Sequence, residues 1–159
     1  MNKFLFTTLL LVSFNVFAEE ALNATVRLTP AGSFQVKTDK ISGKVSKKDG
    51  GYTSDKLWVK VKSLKTGIDL RDKHLKERLN YKTNSKIEVT KMSAKNGKGK
   101  ALFEMNGIKK PISFTYTAKE TSLTASFKIN LQDFKVKDLK YMGVGAKDIV
   151  EINASAKIE

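Results

Sequence analysis

The sequence predicts an all-β protein, an antiparallel sheet of about eight strands closed into a barrel and interrupted by one short helix. Three observations carry that prediction. Runs of alternating apolar and polar residues recur at short spacing, the signature of strands with one buried face. Turn pairs such as Asn96-Gly97 and Asn106-Gly107 separate several of these runs. The alternation fails once, between Thr66 and Leu75, where Gly67 breaks the run and acids precede a helical spacing. A two-sheet sandwich satisfies the same pattern, so the strands alone leave barrel and sandwich both open.

The elements follow in order. Leu22, Ala24, Val26 and Leu28 mark a first strand, ended by Pro30. Phe34 and Val36 begin a second, which Ile41 to Val45 continue across Asp39-Lys40. Lys47 to Gly51 read as a turn. In the next run Leu57, Val59 and Val61 face inward, and Trp58 falls on the face of Lys60 and Lys62, packed under a loop or the helix. Ile87 and Val89 share a face that Met92 and Ala94 leave, so a β-bulge is expected near Lys91. Beyond the Asn96-Gly97 turn, Ala101, Phe103 and Met105 face one way. After Asn106-Gly107 come Ile112, Phe114 and Tyr116, behind a Pro111 that belongs at a strand start because it has no N–H. The last third alternates most cleanly. Leu123, Ala125, Phe127, Ile129 and Leu131 share one face, and Val150, Ile152, Ala154, Ala156 and Ile158 share another. Asp133 to Ala146 is a looser segment between them.

The helix begins after Gly67. Asp69 is placed to cap it by accepting from its first free N–H groups, and Asp72, three residues on, gives a capping-box-like spacing. Leu75 and Leu79 share a face, and Asp72 and Lys76 can pair across a turn. One or two helical turns are expected.

This stretch also resembles the signature of the YceI-like family of lipid-binding proteins, in which a Thr-Gly pair (here Thr66-Gly67) precedes Arg71-Asp72-Lys73-His74-Leu75. Two further stretches resemble the family in the same order: Asn106-Gly107-Ile108-Lys109-Lys110-Pro111-Ile112, and the strand pair from Phe127 to Leu131 and through Val144 to Glu151. Departures are Leu79-Asn80-Tyr81, where the family often has an aromatic pair, and a first strand without the usual His-Ser. The resemblance spans roughly the whole chain after its leader. It implies a lipocalin-like barrel enclosing a long, narrow apolar channel for a polyisoprenoid or other amphiphilic lipid, in a bacterial protein. For Asp69, Arg71, Asp72 and His74 it allows two roles, lining the mouth or bracing the helix against the barrel. Bracing is the expectation.

Composition narrows the function. Lys3, the apolar stretch Phe4 to Phe17, and Val16 and Ala18 at the small-residue positions read as a secretory signal over residues 1–18. That leaves one domain over 19–159, periplasmic or secreted. The chain has no Cys, so disulfides, thiolate metal sites, Cys nucleophiles and a lipid-modified N-terminal Cys are excluded. Thirty basic residues face 16 acidic ones, a net charge of +14. All but Arg27, Arg71 and Arg78 of the basic residues are Lys, spread singly along strands (Lys60, Lys62, Lys128, Lys157). Nucleic-acid recognition favours Arg forks and stacked aromatics, and export argues against it further. A solvated face that discourages edge pairing accounts for the lysines, with transient attraction to an anionic membrane surface as the alternative.

Enzyme chemistry finds no support. His74 is the single histidine, which excludes a two-His metal site, and no Gly-x-Ser-x-Gly elbow is present. No catalytic residue, metal or cofactor is therefore expected beyond a bound lipid. Neither the oligomeric state nor the identity of the lipid can be read from the chain. The expected ligand-facing residues are those of the barrel interior: Leu57, Val59, Val61, Ala101, Phe103, Met105, Ile112, Phe114, Tyr116, Ala125, Phe127, Ile129, Val150, Ile152 and Ala154. Large and small residues mixed on one face fit either a channel or a solid core, and the residues alone do not choose. The resemblance favours the channel. The other reading is a basic interaction or envelope-stress protein with a filled core, acting through its surface.

Overall fold

The computed structural model describes residues 20–159 apart from Asp138. The expected signal segment lies outside the described residues. The strands are β1 (Leu22–Thr29), β2 (Ser33–Thr38), β3 (Ser42–Gly43), β4 (Ser46–Lys48), β5 (Gly51–Lys60), β6 (Lys86–Lys95), β7 (Lys98–Met105), β8 (Ile108–Ala118), β9 (Ser122–Asn130), β10 (Lys140–Tyr141) and β11 (Val144–Lys157). They form one curled antiparallel sheet in the order β2-β1-β11-β9-β8-β7-β6-β5-β3, with β4 also on β5 and β10 on β11. One α-helix, α1 (Asp69–Arg78), lies between β5 and β6. A parallel bridge ties the two arms of the curl: the Val45 N–H donates to the Lys157 carbonyl at 2.9 Å, and the Glu159 N–H to the Val45 carbonyl at 2.9 Å. The β2 edge is pinned separately, where Lys37 and Lys65 exchange backbone bonds of 2.8 and 2.9 Å.

Eight of these strands are long, and three short ones add to the expected eight. The Ile41–Val45 run does not continue β2. The chain leaves β2 and pairs with β5 in two short pieces, β3 and β4, the first ending at Gly43 (φ +97°), where a Cβ would strike the Lys56 carbonyl. The third arises in the looser segment, where Met142-Gly143 make a tight turn with positive φ at both positions and fold β10 onto β11.

Local chemistry accounts for the other turns. Asn96-Gly97 and Asn106-Gly107 both have φ positive at both residues, as a two-residue hairpin that matches strand twist requires. Lys91 (φ +52°) marks the bulge, and the β6–β7 register shifts between Thr90 and Ser93. The extra residue turns Met92 and Ala94 to the same interior that Ile87 and Val89 face. Pro111 sits three residues inside β8, not at its start. It pairs with Leu102 of β7, while β9 joins β8 only from Thr115 onward, so no partner on the other side is deprived of an N–H. Trp58 lies half-buried on the outer face, with the Lys86 ammonium 5.2 Å from its ring centre.

The interior divides into two clusters. One, without any residue of α1, joins Val45, Leu57, Met92, Ala94, Ala101, Phe114, Leu123 and Ala156, with Tyr52 and Tyr116 edge to face at 5.6 Å beside it. The other lies under the helix and is crossed by a chain of edge-to-face rings, Phe127 to Phe103 at 5.7 Å and Phe103 to Phe134 at 5.4 Å.

Candidate functional site: an apolar cavity under the helix

The second cluster does not fill its space. Between α1 and the inner faces of β1, β2 and β11 lies a cavity of about 890 Å³. Alternation builds its walls. Every second residue of β1 (Leu22, Ala24, Val26, Leu28) and of β2 (Phe34, Val36) points inward, and Val150 and Ile152 do the same from β11. Phe103, Met105, Ile129 and Leu131 form more of the wall. Leu75 and Leu79 close it from the helix, as their four-residue spacing provides. Leu139, Lys140, Met142 and Val144 border it from the β10–β11 hairpin, and Met142 is 85% exposed. The charged and polar groups of the lining are few: Arg71, His74, Glu77 and Arg78 from α1, and Lys140.

The start of α1 is held differently from the expectation. Ile68 occupies the N-cap position and no side chain caps the helix there, so Asp69 is its first residue and exposed. Asp72 is buried and directs its carboxylate backwards. One oxygen accepts from the Thr66 backbone N–H at 2.6 Å and the Thr66 hydroxyl at 2.7 Å. Lys65 lies 3.7 Å from the other oxygen, whereas Lys76 forms no ion pair with it among the described residues. Burial alone would raise the Asp72 pKa. The two Thr66 hydrogen bonds, with Lys65 and Lys76 nearby, outweigh it and hold the group below its ordinary value. Thr66 and Asp72 therefore brace the helix start. At the other end, Asn80 donates to Asn106 at 2.7 Å and Asn106 to the Phe134 carbonyl at 2.9 Å, fastening the helix exit to the β7–β8 turn.

Of the expected interior residues, Phe103, Met105, Ile129, Val150 and Ile152 line the cavity. Leu57, Ala101 and Phe114 lie in the filled cluster, with Ile112, Tyr116, Ala125 and Phe127 packed against it. Val59 is buried off the cavity, Val61 is buried in the 3₁₀ turn after β5, and Ala154 packs against the core without reaching the cavity. Arg71 and His74, expected to brace the helix, also border the cavity. The Arg71 guanidinium stacks over the Phe34 ring, 4.3 Å from its centre. The residues of β1, β2 and the β10–β11 hairpin were not assigned to the site from sequence. For β1 and β2 the signal was present, since their alternation is as regular as that of β11. For the hairpin it was not, because nothing about Met142 announces positive φ. Among the described residues no group of three or more His, Asp and Glu is arranged to hold a metal.

The YceI-like domain model matches residues 17–158. No curated protein sequence matches the chain. Among solved structures, a polyisoprenoid binding domain from Saccharophagus degradans, described as implicated in plant cell wall breakdown, superposes with a TM-score of 0.63 at 16% identity, covering 86% of this chain and 91% of that one. Burkholderia cenocepacia BcnA gives 0.60 at 14% identity over 84% and 94% of the two chains. The Campylobacter jejuni YCEI protein gives 0.53 at 17% identity over 76% and 82%. At these identities the likeness concerns the fold.

Proposed function

The chain belongs to the YceI-like family, and from that premise we propose that it binds the apolar chain of an isoprenoid-like or other amphiphilic lipid in the cavity under α1, sequestering or carrying it without covalent change. The observation that supports this most is the cavity itself. About 890 Å³ walled largely by Leu, Val, Ile, Phe and Met is within the usual size of small-molecule sites, and no protein side chain occupies it. Burial of the ligand's methylenes, about 0.8 kcal/mol each, supplies the affinity. No cofactor takes part. The protein acts in the periplasm or outside the cell after loss of residues 1–18, where a carrier shields a lipid from water. Mass spectrometry of solvent extracts from natively purified protein tests the reading. A stoichiometric amphiphile is expected. Protein that yields none and takes up no prenyl-chain probe would leave the cavity without this role.

A further inference from the structure

We propose that the start of α1 and the tip of the β10–β11 hairpin form a docking surface for an anionic lipid bilayer, with Leu70 and Met142 entering its interface. This adds a partner to the lipid-binding reading and rests on that reading for its purpose, not for its evidence. Among the described residues five large hydrophobics are exposed, and four of them lie on these two elements: Ile68 and Leu70 at the start of α1, Met142 and Val144 on the hairpin. Leu70 is 56% exposed and Met142 85%, so neither has a place in the core. Leu70 precedes His74 by four residues and Glu77 by seven, and therefore shares their stripe of α1, which borders the cavity as Met142 and Val144 do. The exposed apolar residues of helix and hairpin thus stand on two banks of one opening.

Charge selects the occupant. Arg71, Arg78 and Lys140 border the same opening against the one carboxylate of Glu77, and the whole chain carries +14. Each cation held near an anionic leaflet adds to the attraction. Long Lys and Arg stems lie along apolar surface while their heads stay at the polar level, so cations and apolar residues together suit the two layers of a membrane interface. A second copy of the chain is the poorer occupant, because it brings the same positive charge against this one. A rigid protein face is poorer too. The apolar residues sit on separate elements around a hole, and a fluid surface fills that outline without the shape complementarity that a protein contact needs. Docked this way, the cavity opens on the acyl layer, and an apolar chain passes between bilayer and protein without crossing water.

The test is co-sedimentation of the mature protein with vesicles of phosphatidylcholine, with and without phosphatidylglycerol. Partitioning onto the anionic vesicles should be at least about tenfold stronger than onto the neutral ones, and the excess should shrink as salt is added. Ile68→Ser/Leu70→Ser should weaken it at least about fivefold, with uptake of a prenyl-chain probe unchanged because neither residue lines the cavity. Orientation is read from fluorescence, which needs no destabilising change. Leu70→Trp should be quenched by brominated acyl chains, and the native Trp58, on the outer face of β5, should not. Equal partitioning onto both vesicle types, an unaffected double variant, or equal quenching of Trp58 in the wild type would overturn the docking surface. So would a dimer in solution that Ile68→Ser/Leu70→Ser dissolves, since a second copy would then own the patch. Failure to dock by protein that still takes up the probe leaves lipid binding intact. Specific docking by protein that takes up no probe upholds the surface and removes the carrier reading instead.

Discussion

Thr66 and Asp72, six residues apart, are joined twice: the backbone N–H and hydroxyl of Thr66 both donate to one oxygen of the Asp72 carboxylate, at 2.6 and 2.7 Å. The pair clamps the loop around Gly67 to the first turn of α1, whose side chains close the cavity. Because the acceptor is charged and buried, Asp72→Ala should cost about 2 kcal/mol, read from the midpoint shift in urea. A loss within error of zero would mean that the helix start is held by other contacts.

The same clamp makes a pH signature. The folded pKa of Asp72 lies below its ordinary 3.8, so its contribution is complete above that value and is lost as pH falls through the lowered folded value. Wild-type protein should therefore lose stability below about pH 4 more steeply than Asp72→Asn, which has no carboxylate to protonate there. Parallel acid-unfolding profiles for the two proteins would contradict the sign of the shift.

Asp69 offers a contrast. It starts the helix but caps nothing, and only the favourable placement of negative charge near a helix N-terminus remains to it. Asp69→Ala should cost about 0.5 kcal/mol, a quarter of the effect at Asp72, with lipid affinity unchanged. Comparable losses at both positions would restore the capping role that sequence spacing suggested.

Sequence patterns were most informative where one residue type has one mechanical use. Asn96-Gly97 and Asn106-Gly107 turn as their tolerance of positive φ requires, and the slip from Val89 to Met92 places the bulge at Lys91. Alternation also separates inward from outward residues, and the fold class follows from it. What alternation lacks is depth along the strand. Phe103 and Ala101 share a face of β7, yet one borders the cavity and the other sits in the filled cluster. That difference depends on where α1 and the β10–β11 hairpin cross the sheet, which no periodicity encodes. Arg71 shows the same limit: its place in a motif was legible, but its stacking on Phe34 depends on β2 and α1 meeting in space.

Gly99 reports on the filled region. The Phe114 ring lies where a Cβ at Gly99 would project, and that ring belongs to the packed cluster. Gly99→Ala must displace it, and overpacking of this kind costs about 1–3 kcal/mol. Because neither residue borders the cavity, binding of a prenyl probe by the folded variant should be unaltered. Normal stability in thermal melts would show that the ring has room to move.

Ala24 and Ala156 are the decisive pair, being the same residue, equally buried, on neighbouring strands of one sheet. Ala24 borders the cavity, where its neighbours Ile152 and Val36 on β11 and β2 also point. Ala156 pairs with Leu123 inside the filled cluster. Enlarging each to Phe therefore asks opposite things of the protein. At Ala24 the ring has free volume to enter, so stability should hold or rise while the ring takes the place of the ligand chain. Probe affinity should then fall at least about tenfold, the equivalent of about 1.4 kcal/mol. At Ala156 the ring finds atoms already in place, and the fold should lose about 1–3 kcal/mol, with the cavity still competent in whatever fraction remains folded. Equal destabilisation at both sites would mean that the space under α1 collapses in solution, and with it the basis for a lipid carrier.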